Sequence, residues 1–87
     1  MERIVVFKNS NVECVLIVLP PGYRGDTHDH PGVYCRFRIL KGEMIEERED
    51  DTLVYQEGQQ GAIWDNLGAH RVCSTRGSTS IHLYSKL

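Results

Sequence analysis

Two histidines separated by one residue, His28 and His30, lie in the segment THDHPGVYC at 27–35 and have the type and spacing to bind a metal ion. Side chains alternate between the two faces of a β-strand, so residues two apart point the same way, with Cα atoms about 7 Å apart. Two imidazoles at that spacing can converge on one cation. Surface histidines produce the same pattern, so the pair alone leaves both interpretations open.

A second polar row is predicted near the C-terminus, in SIHLYS at 80–85. On a strand, Ser80, His82 and Tyr84 share one face, while Ile81 and Leu83 share the other. That alternation favours a hydrogen-bonded polar row that faces a cavity, with a packed apolar side behind it. An edge strand with its polar face in water is the alternative.

Short apolar runs divided by turn residues predict an all-β chain that positions these side chains. The runs cover 13–19, 33–40, 52–56, 61–65, 70–74 and 80–85, and ERIVVF at 2–7 can form a further strand. Strands at this spacing are typical of an antiparallel sandwich or barrel. The run 33–40 is expected to end at the turn Lys41-Gly42-Glu43, and the charged run EEREDD is expected to be a solvated hairpin flank.

The composition favours a small globular protein and argues against several classes of partner. At 87 residues the chain is expected to form a single domain, 1–87. The chain has ten Lys and Arg and 12 Asp and Glu, and the basic residues are scattered. No basic surface that would bind nucleic acid or an anionic membrane is therefore predicted. Cys14, Cys35 and Cys73 lack a CxxC spacing, so neither a zinc knuckle nor a disulfide framework is predicted, and a reducing, cytoplasmic setting is expected.

The motifs together resemble a known enzyme family. HDH at 28–30, Cys35 and Gly42 resemble the first motif of the cupin superfamily, in which a glutamate stands in the place of Cys35. LGAHRV places His70 where the second cupin motif has a histidine. With SIHLYS following, residues 12–85 resemble the thiol dioxygenases, and among them the cysteine dioxygenases. This resemblance implies a small cupin-type antiparallel β-barrel of the jelly-roll kind.

By the same resemblance, His28, His30 and His70 bind Fe(II). Three neutral imidazoles with open positions suit Fe(II) and O₂ chemistry. Zinc also accepts three histidines, so the ligand set alone does not name the metal. The resemblance further implies L-cysteine and O₂ as substrates, cysteine sulfinic acid as the product, and a place in cysteine catabolism and taurine biosynthesis.

Four further residues take roles from the resemblance. Cys35 and Tyr84 correspond to the pair that forms a thioether cross-link beside the iron in this family. Ser80 and His82 are expected to orient and polarise the hydroxyl of Tyr84. Tyr84 is also expected to contact the substrate.

The carboxylate of the substrate is expected to bind an arginine, whose planar guanidinium can donate two parallel hydrogen bonds to it. Arg3 is the candidate, because the family's arginine opens a strand similar to RIVVF, and Arg24 on the loop before His28 is the alternative. Relatives carry a helical region before this arginine and a tail after the tyrosine. The chain looks like a short form without them, so the barrel can have an incomplete edge.

Three other functions stay open. One is oxidation of another small thiol such as 3-mercaptopropionate, and another is metal binding without turnover. Zinc-dependent hydrolysis is the third, although no carboxylate general base occupies a motif position. The ending Ser85-Lys86-Leu87 has the form of a peroxisomal signal, which leaves the peroxisome as an alternative to the cytoplasm.

Overall fold

Eight β-strands form most of the residues that the structure describes, and every strand pair among them is antiparallel. The computed structural model describes residues 1–64 and 67–86. Its strands are β1 (Glu2–Lys8), β2 (Val12–Leu19), β3 (Tyr23–Arg24), β4 (Val33–Arg48), β5 (Thr52–Gln56), β6 (Gln60–Ile63), β7 (His70–Ser74) and β8 (Ser78–Lys86). The predicted all-β class is confirmed. Each predicted strand has a counterpart, although Asp65 at the end of the run 61–65 lies outside the described residues.

The long strand β4 belongs to two sheets and joins them. Its first half pairs with β6 and β8, and β2 and β1 continue that sheet beyond β8. Its second half pairs with β5 and β7, and β3 continues that sheet beyond β7. Because one strand runs through both sheets, they curl into a half-barrel around a common core.

Gly42 lets β4 pass from one sheet into the other. Its φ of 80° lies in the left-handed region, and a Cβ atom there would come within 2.1 Å of the Gly77 carbonyl oxygen. The register of β4 against β8 shifts just before this glycine, as it does at a β-bulge. The prediction that the strand ends here was wrong, because the bulge bends the strand and β4 continues to Arg48.

The bulge changes which residues of β4 face the interior. Before it, the odd-numbered Cys35, Phe37 and Ile39 are buried, and after it the even-numbered Met44 and Glu46 are buried. The prediction of a solvated flank for EEREDD was therefore wrong at its first residue. The exposed fraction of Glu46 is 0%.

Strand β1 is an edge strand with little covering. Each of its residues is exposed, and Ile4, Val5, Val6 and Phe7 have exposed fractions of 47–56%. It pairs with β2 on one side only, among the described residues. This is the incomplete edge that was expected for the barrel.

Within residues 1–64 and 67–86, no helix has the length and apolar character needed to cross a membrane. Leu87, the last residue of the peroxisome-like ending, lies outside the described residues. The choice between cytoplasm and peroxisome therefore stays a prediction.

Candidate metal centre

The structure brings His28, His30 and His70 together although 40 residues separate the last two. One ligand nitrogen from each lies within 4.8 Å of the other two. Nε2 of His30 and Nε2 of His70 are 3.1 Å apart. Two nitrogens bound to one ion at about 2.1 Å would be roughly 3.0–3.4 Å apart at angles of 90–110°. The donor set therefore fits a divalent metal ion.

Backbone pairing holds the first histidine against the third. The amide of His28 donates to the carbonyl of His70 at 2.8 Å, and the amide of His70 donates back at the same distance. The sequence predicted a regular strand for HDH, but this segment makes only that single bridge. The side chains converge because the bridge sets His28 beside the start of β7.

Contacts at Nδ1 assign the lone pair to Nε2 on two of the three rings. Nδ1 of His28 lies 2.9 Å from the carbonyl oxygen of Asp26, and Nδ1 of His70 lies 2.7 Å from Oε2 of Glu46. Both partners accept hydrogen bonds, so in each contact Nδ1 carries the proton and Nε2 has the lone pair. Burial, together with the neighbouring histidines, lowers the pKa of His30 and favours its neutral form.

Glu46 is the site residue that the sequence interpretation missed. Its side chain is fully buried, and it accepts hydrogen bonds from His70, Arg48 and Tyr55 at 2.7, 3.0 and 3.0 Å. Burial alone would raise the pKa of Glu46, but these hydrogen bonds outweigh it and place the pKa below its ordinary value. Glu46 is therefore a carboxylate at neutral pH. Burial and this carboxylate raise the pKa of Tyr55 to about 12, so Tyr55 acts as a donor.

The predicted polar row of β8 faces inward. Ser80 and His82 are buried, and Ser80 Oγ lies 2.8 Å from Nε2 of His82. The other ring nitrogen of His82 lies 3.8 Å from the sulfur of Cys35. Burial lowers the pKa of His82 to about 4, so the ring is neutral.

This row meets Tyr84 through the ring of His82. The rings of His82 and Tyr84 stack, with centroids 6.0 Å apart and an interplanar angle of 14°. Among the described residues, the hydrogen-bonding contacts of His82 run to Ser80 and to the thiol of Cys35. Within residues 1–64 and 67–86, the row therefore meets Tyr84 by stacking and contacts Cys35, and the polarisation of the Tyr84 hydroxyl stays a prediction.

Cys35 and Tyr84 lie directly opposite each other on β4 and β8. Side chains in such cross-strand positions have Cβ atoms about 4.5–5.5 Å apart. Burial raises the pKa of the Cys35 thiol to about 12. Burial and the adjacent Cys35 raise the pKa of Tyr84, so both groups are protonated at neutral pH.

A cavity of about 300 Å³ opens beside the three histidines. Tyr84, His82 and Arg3 lie on its wall, whereas Cys35 is fully buried behind it. Arg3 forms an ion pair with Glu13 at 2.5 Å, and its guanidinium carbon lies 5.8 Å from the centroid of the Tyr84 ring. Arg3 therefore has both the charge and the position to meet an anionic group in this cavity.

Arg24, the alternative to Arg3, is placed elsewhere. Its side chain is 62% exposed and pairs with Glu47 at 3.6 Å. It does not line the cavity beside the histidines.

Comparison with known sequences identifies the family. Residues 2–86 match the family described as cysteine dioxygenase type I. A cysteine dioxygenase type 1 from Danio rerio is 29% identical over 93 residues, which cover 88% of this chain and 46% of that protein. The chain therefore spans slightly less than half the length of this curated relative.

Solved structures with a similar fold are much more distant in sequence. The cupin domain of Schizosaccharomyces pombe Cnp3 has a TM-score of 0.87 at 10% identity, over 98% of this chain and 64% of that one. KdgF from Halomonas sp. has a TM-score of 0.85 at 19% identity, over 98% and 79% of the two chains. These likenesses concern the fold alone, and they confirm the predicted cupin-type barrel. Because the family match extends over nearly the whole chain, the protein belongs to the cysteine dioxygenase type I family.

Proposed function

We propose that the protein is an Fe(II)-dependent thiol dioxygenase that oxidises L-cysteine with O₂ to cysteine sulfinic acid. The observation that carries the proposal is the group of three histidine nitrogens, within 4.8 Å of one another, on the wall of a cavity that also contains Tyr84 and Arg3. Membership of the cysteine dioxygenase type I family supports a dioxygenase reaction on a small molecule.

His28, His30 and His70 would hold the metal through Nε2. Bound iron would supply the redox chemistry that O₂ requires and would favour the thiolate form of the substrate. The three ligands carry no charge, so the positive charge of the ion remains available to an anionic thiolate.

Arg3 would bind the substrate carboxylate. A guanidinium has five N–H donors, so one nitrogen can stay on Glu13 while the others meet a second carboxylate. The pair with Glu13 also orients the fork toward the ring of Tyr84. The position of Arg3 on the cavity wall is the reason for preferring it to Arg24.

Cys35 and Tyr84 would form a thioether as a by-product of turnover. The bond joins the sulfur to a ring carbon next to the phenol carbon, and the thiol and the ring each lose one hydrogen. O₂, the co-substrate, is the acceptor of these two electrons and two protons. Their opposed positions on β4 and β8 support this proposal.

The decisive experiment measures metal content and product in the same protein. Iron-loaded protein should consume O₂ with L-cysteine and yield cysteine sulfinic acid. His70→Ala should lose most of its iron, while Asp29→Ala, which removes an exposed carboxylate between the other two histidines, should retain it. Product formation by His70→Ala at the parental rate would contradict the three-histidine site.

A second thiol substrate, 3-mercaptopropionate, separates two of the other functions. Faster turnover of 3-mercaptopropionate than of cysteine would assign the protein to that substrate. Iron binding without O₂ consumption on either thiol would identify a metal-binding module without dioxygenase activity.

A further inference from the structure

We propose that Glu46 is the positioning residue that sets His70 as a metal ligand, with Arg48 and Tyr55 holding its carboxylate in place. The proposal rests on the proposed function, since it concerns the metal site of the same cavity. It adds a role for a residue that does not itself belong to the ligand set.

The sheet register brings this carboxylate to His70. On β4 and β7, Glu46 pairs with Val72 while Arg48 pairs with His70, so Glu46 is the diagonal neighbour of His70 on the inner face. On the other side of β4, Glu46 and Tyr55 are related in the same diagonal way. Long side chains on such diagonals reach each other. The bulge at Gly42 is what turns position 46 inward.

The two carboxylate oxygens have separate partners. Oε1 accepts from Arg48 and Tyr55, each at 3.0 Å, and Oε2 faces Nδ1 of His70 at 2.7 Å. All three partners are donors, and the side chains of Glu46 and His70 are both 0% exposed. A carboxylate anchored on one oxygen cannot rotate away from the ring. It therefore fixes both the plane of His70 and the tautomer with the proton on Nδ1.

An amide at this position cannot satisfy the same partners. The side chain of Gln has one acceptor and one donor end, whereas both ends of Glu46 face donors. In Glu46→Gln, an amide NH₂ turned toward His70 favours the tautomer with the proton on Nε2. That proton occupies the lone pair needed for the metal. The opposite orientation places the NH₂ against Arg48 and Tyr55.

Glu47→Gln provides a matched control on the next residue of the same strand. Glu47 is a carboxylate with two arginine partners, Arg71 at 3.0 Å and Arg24 at 3.6 Å, but its side chain is 30% exposed. Both substitutions remove one negative charge from β4. Only the substitution at position 46 alters a hydrogen bond to His70.

The test is the affinity of metal-free protein for Co(II), measured by competition with a chromophoric chelator. Glu46→Gln should bind Co(II) about 10–100-fold more weakly than the parent protein, and Glu47→Gln should match the parent. Equal affinities for the parent and Glu46→Gln would overturn the proposal. Equal losses in both variants would also overturn it, because charge alone would then explain the effect.

A second measurement needs neither metal nor variant. The ¹⁵N shifts of the His70 ring in the metal-free parent should report a proton on Nδ1 and none on Nε2 at pH 7.5. A proton on Nε2 would overturn the role of Glu46 even if Glu46→Gln failed to fold. Failure of the parent protein to bind any Co(II) would instead refute the proposed metal site, and the positioning role with it. Co(II) binding without cysteine oxidation would refute only the proposed activity.

Discussion

His82 should make the metal-free protein markedly less stable in mild acid, and His82→Gln should remove that sensitivity. The ring is buried between Ser80 and Cys35 and stacks on Phe37 at a centroid distance of 5.2 Å. Burial lowers its pKa from 6.5 to about 4. Gln keeps a polar side chain that can bond Ser80 but has no proton to gain.

The sign and size of the effect follow from proton linkage. Between pH 6.5 and about 4, the unfolded chain binds a proton at His82 that the folded chain does not. Protonation of His82 therefore leaves the free energy of unfolding unchanged above pH 6.5 and lowers it progressively as the pH falls toward 4. One proton corresponds to about 1.4 kcal/mol per pH unit, which amounts to roughly 3 kcal/mol over this interval. Domains have total stabilities of about 5–15 kcal/mol, so a loss of this size is readily measured.

The assay is urea unfolding of metal-free protein at intervals between pH 4 and 7.5. The unfolding free energy of the parent should fall by about 3 kcal/mol more than that of His82→Gln over this range. Other groups with lowered pKa values, such as His30 and Glu46, are present in both proteins, so their contributions cancel in the difference. Parallel curves for the two proteins would refute the buried, neutral state of His82.

Three other predictions concern the cavity and the core. Arg3→Ala should raise KM for cysteine about tenfold and leave KM for cysteamine, which has no carboxylate, nearly unchanged; equal changes for both thiols would contradict its role. After many turnovers, intact-mass analysis should show a species lighter by two hydrogens, which Cys35→Ala and Tyr84→Phe should each abolish. A single unshifted mass with an alkylatable thiol would show that no cross-link forms. Gly61→Ala should lower the unfolding free energy by about 1–3 kcal/mol in urea titration, because its Cβ would lie 2.3 Å from the Phe37 ring; parental stability would contradict this packing.

The strands and the polar row of β8 could be predicted because alternation with a period of two survives in the sequence. In SIHLYS each second residue is polar, and the structure buries Ser80 and His82 while Leu83 is 44% exposed. The local pattern was sufficient to predict the inward face of β8, because its register against β2 is continuous and no bulge interrupts the alternation. The family resemblance supplied His70, which no local spacing connects to His28.

Glu46 could not be predicted from composition, because six charged residues in a row usually form a solvated segment. Its burial depends on the bulge before Gly42, which moves the inward positions of β4 from odd to even numbers. A glycine between two strand-like runs fits a turn as well as a bulge, and the sequence alone does not separate the two. The available signal was His70: a buried histidine ligand needs an acceptor for its second ring nitrogen.

The position of Glu46 gives a physical reason for Cys35 in the place where the cupin motif has a glutamate. Burial and the charge of Glu46 both raise the pKa of Cys35, to about 12, so a neutral thiol is the stable form there. A carboxylate at position 35 would be buried, near a second carboxylate, and without the cation that Arg48 supplies to Glu46. The chain instead places one paired anion behind His70 and keeps the wall formed by His82 and Tyr84 neutral. Arg3, paired with Glu13, and Asp26 are then the charged side chains on the wall of the cavity beside this neutral row.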